Sequence, residues 1–97
     1  MTKEEFKENM ILLRRQVEML AYDLGMKTDF PAVDRMFIPS HIECCYEIRL
    51  EYKGFHTVDM FNNTMAFGAD DINRVAINLV SSFFRDYVQA LSLRVNK

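Results

Sequence analysis

Residues 41–56, HIECCYEIRLEYKGFH, hold both histidines and both cysteines of the 97-residue chain. Two thiolates and two imidazoles are the donor set of a structural zinc site, which draws four ligands to ~2.0–2.3 Å from one ion. The spacing opposes that use. Cys44 and Cys45 are neighbours, and neighbours in a strand point to opposite faces, so only one of them is left for a shared site. They also lack the C-x(2–4)-C spacing of zinc knuckles. If Cys45 and His56 share a face of a hairpin, they lie at its two ends, roughly 20 Å apart at ~3.3 Å per residue. The window therefore reads as a hairpin without a metal.

Other chemistry is as thinly supported. His41 and Cys44 would form a thiol–imidazole dyad only if the chain kinked where the strand begins. Asp70-Asp71 look like a carboxylate pair for magnesium, but they stand where a helix start wants an N-cap and a following acid. Gly25, Gly54 and Gly68 are isolated, so no glycine-rich phosphate loop is available, and no serine has a nucleophile-elbow setting. The sequence leads to the expectation of a non-enzyme with no cofactor. A small enzyme or metal-binding protein using His41, Cys44 and a neighbouring carboxylate is the alternative.

The elements that position these residues are well punctuated. Thr2 with Glu5 fits a capping box and Gly25 fits the left-handed position past a helix end, which predicts a helix over about residues 3–24. Phe6, Met10, Leu13, Val17, Leu20 and Leu24 follow at steps of four and three, the seam of a packed helix. Ile11, Leu12 and Met19 lie outside it. Residues 26–42 carry both prolines and read as extended or looped, with DRMFI as a candidate strand.

From Glu43 the period becomes two. Tyr46, Ile48, Leu50 and Tyr52 share one face and Glu47, Arg49 and Glu51 the other. Lys53-Gly54 supplies a tight turn; a two-residue loop sets Tyr52 opposite Phe55, Glu51 opposite His56 and Tyr46 opposite Phe61, whereas a bulged three-residue turn, open because Lys-Gly is less favoured than Asn-Gly, shifts this register by one. Asn62-Asn63 offers a second turn into a short third strand, TMAF. Asp70 then caps a long helix over about residues 71–94, apolar on most of its circumference.

The whole is one α+β domain, residues 1–97. It has an α-β-β-(β)-α order, with an antiparallel hairpin or three-stranded sheet packed by a long N-terminal and a long C-terminal helix. Its order is similar to that of double-stranded RNA-binding domains, whose second helix opens on lysines that grip phosphate. Asp70-Asp71 stand at that position and would repel phosphate, so the likeness is one of topology.

At 49% hydrophobic and 27% charged residues the chain is too apolar for disorder. A net charge of −2 without a basic stripe argues against nucleic acid. There is no apolar run near the ~20 residues that span a bilayer and no apolar leader, so no membrane partner and a cytoplasmic location are expected. Adjacent cysteines staple nothing and fit free thiols in a reducing compartment.

What remains is surface. The apolar residues of both helices exceed what one small sheet covers, which predicts self-association, as a homodimer, through Met10, Leu13, Val17, Phe84, Tyr87, Val88, Leu91 and Leu93. Recognition of another protein is expected on Glu47, Arg49, Glu51 and His56 of the polar hairpin face and on Asp34 and Arg35 of the long loop. The functional expectation is a small cytosolic regulator, inhibitor or assembly factor that works by protein–protein binding.

Overall fold

The computed structural model describes residues 2–31, 36, 38–65 and 67–95. Helix α1, Lys3–Asp23, starts where the Thr2 side chain accepts a hydrogen bond from the Glu5 amide at 3.1 Å. It stops by a Schellman motif. Gly25 takes φ +74°, its amide bonds to the Tyr22 carbonyl at 3.1 Å, and the Met26 amide reaches back to Ala21 at 2.8 Å. Met26 and Ala21 are both buried, the apolar contact that accompanies this stop.

Strand β1, Lys27–Asp29, follows at once and pairs antiparallel with β2, Cys45–Tyr52, which pairs antiparallel with β3, Phe55–Asn62. The sheet order is β1-β2-β3. The hairpin has the register of the two-residue loop: Tyr52 opposite Phe55, Glu51 opposite His56, Tyr46 opposite Phe61. Lys53 at φ 49° and Gly54 at φ 82° form the mirror-image turn that suits strand twist.

The third strand lies on the other side of β2 from where TMAF would have put it. After Asn62 the chain turns, with Asn62 Oδ1 accepting from the Thr64 amide at 2.9 Å and Asn63 Oδ1 accepting from the amides of Glu43 and Cys44 at 2.9 and 3.2 Å. Phe67 then enters the core edge-on to Phe6 and Phe61. A residue needed as a core plug cannot continue the ladder. The candidate strand DRMFI falls, apart from Met36 and Ile38, outside the described residues.

A 3-10 turn, Ala69–Asp71, leads into α2, Ile72–Val95. Asp71, and not Asp70, serves the helix start: its carboxylate accepts from the Gly68 amide at 3.1 Å and from Arg74 at 2.7 Å.

Both helices lie on one face of the sheet, and α1 packs along α2. The core joins Phe6, Met10, Leu13, Val17 and Ala21 of α1 to Ile48 and Leu50 of β2 and to Ile72, Ala76, Val80 and Phe83 of α2. The result is two layers, 47 × 29 × 18 Å, with a radius of gyration of 14.7 Å. A compact chain of this length has roughly 12.5 Å. The excess reflects a flat, elongated domain whose sheet is covered on one side.

Candidate functional site

Period two along β2 and the register with its neighbours decide what stands on the open face. Direct cross-strand partners share a face, so the rows there are Lys27–Glu51–His56, then Asp29–Arg49–Val58, then Glu47–Met60. Four of the residues expected to recognise a partner, Glu47, Arg49, Glu51 and His56, therefore stand together. Arg49 organises the row: its Nε lies 2.7 Å from Glu47 Oε2 and its Nη1 3.7 Å from Asp29 Oδ2. Exposed pairs of this kind contribute roughly 0–1 kcal/mol each, so the array is better described as a patterned surface than as a source of stability.

A concavity of about 490 Å³ runs across this face from Lys27 to Val58. The character changes along it. The β1–β2 side is charged, whereas β3 exposes Val58 and Met60 by 55% and 44%. Asp34 and Arg35 lie outside the described residues.

The helix surface needs correction. Met10, Leu13 and Val17, expected to mediate self-association, are 0–1% exposed and belong to the core of this chain. Helical spacing marks a face and does not say what covers it; here α2 and the sheet do. Phe84 and Tyr87 are half-buried against Tyr52, ring centres 5.8 and 5.1 Å away. Val88, Leu91 and Leu93 remain exposed. On α1 the open residues are those outside the seam, Ile11, Leu12 and Met19, joined by Tyr22.

The thiols face apart. Cys44 packs against the core, while Cys45 is 6% exposed at the start of β2, opposite Asn62 and far along the strand from the Glu51–His56 pair. Burial pushes both thiols up from their ordinary value, with Lys7 and Lys3 opposing it at Cys44 and Glu47 adding to it at Cys45. Both are therefore protonated and weakly nucleophilic at neutral pH. His41 is exposed in the turn before β2. Among the described residues no three of His, Cys, Asp and Glu come together as metal ligands. No helix among them is long and apolar enough to cross a membrane.

Two polar residues escaped the sequence reading. The face shared by Ile48 and Leu50 includes their partners on β3, Asp59 and Thr57, so both point toward the helices. Burial, with Asp86 of α2 as the second cause, raises the Asp59 carboxyl above its ordinary value. Thr57 Oγ1 is buried and has no hydrogen-bond partner among the described residues. The signal was present: once Tyr46 faces Phe61, the register forces positions 57 and 59 inward.

Arg14 ties the long connection down. Its guanidinium lies 4.8 Å from the Tyr46 ring centre and 5.7 Å from that of Phe30, and Nη2 donates to the Phe30 carbonyl at 3.2 Å. The Glu47 amide donates to Pro31 O at 3.1 Å, continuing the ladder beyond the last β1 residue.

Comparison with models of protein families, with curated proteins and with solved structures finds no match.

Proposed function

We propose that this is a non-catalytic cytosolic protein that binds another protein through the open face of its sheet and self-associates. The observation that carries the reading is the surface itself. Both helices cover the same side of the sheet, leaving Glu47, Arg49, Glu51 and His56 side by side next to exposed Val58 and Met60. An apolar strip with a charged border has the anatomy of an interface, an anchor that desolvates and a rim that sets orientation. The fitting partner presents an apolar patch flanked by charges of both signs. A regulator, inhibitor or assembly factor works in this way, by occlusion or bridging.

The test compares retention of lysate proteins on the immobilised wild type and on Arg49→Glu, identified by mass spectrometry. Arg49 is exposed and outside the core, so its reversal spares the fold while inverting the centre of the charged row. A protein retained by the wild type and lost from the variant supports the reading; identical retention overturns it.

A further inference from the structure

The two edges of the sheet are treated differently. β1 is three residues long, carries Lys27, and is followed by Pro31 covering the next β2 amide. Short strands and lysines are the usual ways to blunt an edge. β3 is eight residues long, pairs with β2 without a bulge, and contains no proline, lysine or glycine. Among the described residues nothing pairs with its outer edge.

The direction of its free backbone groups follows from the ladder. The Asn63 amide bonds to the Cys44 carbonyl at 3.3 Å, so the odd positions of this strand turn toward β2 and the even ones outward. His56, Val58 and Met60 therefore offer their N–H and C=O groups to solvent.

We propose that β3 pairs antiparallel with β3 of a second copy about a twofold axis at Val58, joining two sheets into one of six strands. A twofold perpendicular to the sheet allows only registers in which a residue meets its own mate. With Val58 at the centre, Thr57 meets Asp59 of the other copy, His56 meets Met60, and Phe55 meets Phe61. Centring on Asp59 would oppose two carboxylates, and centring on Thr57 would set Asp59 against Phe55. Only the Val58 register gives the unpartnered Thr57 hydroxyl an acceptor and the half-buried Asp59 carboxylate a donor, and it does so twice. Val58–Val58 then exchanges backbone hydrogen bonds, which makes Thr57–Asp59 the closer type of pair, with Cα atoms about 4.5 Å apart. An inward-pointing charge on an edge strand is a guard against pairing when nothing meets it. Here the mate's threonine meets it.

The interface is isologous and closed, so it gives a dimer and not a fibre. It also places Val58 and Met60 of both copies in one central strip of the outer face, between two charged fields. The pairing rests on the self-association proposed above and does not depend on the open face having a partner. Its test reads mass and amide protection, whereas the recognition test reads retention.

The experiment is light scattering over a hundredfold concentration range with amide hydrogen exchange on the same samples. Expected are a dimer and slow, concentration-dependent exchange at His56, Val58 and Met60. Val58→Pro removes an outward amide that β2 does not use, a position where edge strands accept proline, and is expected to be a monomer with unchanged circular dichroism. Thr57→Val, which replaces the hydroxyl with a methyl of similar size, is expected to weaken association at least tenfold and keeps the test decisive if the proline variant misfolds. Leu91→Glu, Leu93→Glu, which strips the exposed end of α2, is expected to leave the dimer intact. A wild-type monomer throughout, a dimer that persists in Val58→Pro, or one abolished by the Leu91/Leu93 changes overturns the proposal.

Discussion

Adjacent leucines on α1 separate a seam closed within one chain from one shared between chains. Leu13 is 0% exposed and Leu12 43% exposed. Truncating either to alanine removes the same three carbons, worth ~0.8 kcal/mol each when fully buried. At Leu13 the whole of that, about 2.4 kcal/mol, is lost and a cavity is added, because α2 and the sheet close over the site; the expected destabilisation is about 3–4 kcal/mol. At Leu12 roughly half of the transfer contribution applies, no closed cavity forms, and alanine is the better helix former, so about 1 kcal/mol or less is expected. A domain of this size has about 5–15 kcal/mol in total, so Leu13→Ala takes a large share of it. The assay is thermal unfolding at two protein concentrations. At ~4–5 °C per kcal/mol, Leu13→Ala should lower Tm by roughly 12–20 °C and Leu12→Ala by no more than about 5 °C. The Leu13 loss should be the same at both concentrations. Equal losses at the two positions, or a Leu13 effect that disappears on dilution, would refute the assignment of the seam to the internal core.

Lys53→Asn should raise Tm by about 2 °C, ~0.5 kcal/mol, since asparagine accepts the left-handed conformation that Lys53 adopts and suits a mirror-image turn before glycine; an unchanged melt would count against that turn. Asp59 holds its proton to higher pH in the folded chain than in the unfolded one, where 3.8 is its ordinary value. Between those limits the native state binds more protons, so the Asp59 contribution lowers stability as pH rises and is constant above. Asp59→Asn should therefore gain on the wild type as pH is raised from about 3 to 8 in parallel unfolding series; a constant difference would place the carboxylate in water. Arg49→Ala should cost less than about 1 kcal/mol, and less still in high salt, because both of its ion pairs are exposed.

Much of the fold was legible because its signals are local. Thr2 and Gly25 bracket α1 within a residue of where the backbone starts and stops. Lys53-Gly54 with period two in β2 narrowed the hairpin to two registers one residue apart, and the left-handed Lys53 and Gly54 select the two-residue turn. β1 was not legible, since three residues, Lys27, Thr28 and Asp29, are too few to show a period. The start of α2 was misassigned by one residue because Asp70 and Asp71 are chemically alike and only the geometry of the 3-10 turn selects between them. The charged row on β2 followed from alternation alone. The fate of Met10, Leu13 and Val17 did not, because a stripe of apolar residues is the same whether the chain's own last helix or a second molecule covers it. Thr57 and Asp59 were missed for the opposite reason: their chemistry suggests water, and only the pairing turns them inward.

The packing of α1 on α2 joins the first and last elements of this sequence, and that has a consequence for synthesis. A chain emerging from the ribosome can close the β2–β3 hairpin early, because its turn is local, but Phe6, Met10 and Leu13 then have only Ile48 and Leu50 to pack on until Ile72 to Phe83 appear. At about 5–20 residues per second that delay lasts several seconds. Throughout it one flank of α1 stays open beside a half-finished sheet, so the last helix completes the core and arrives last.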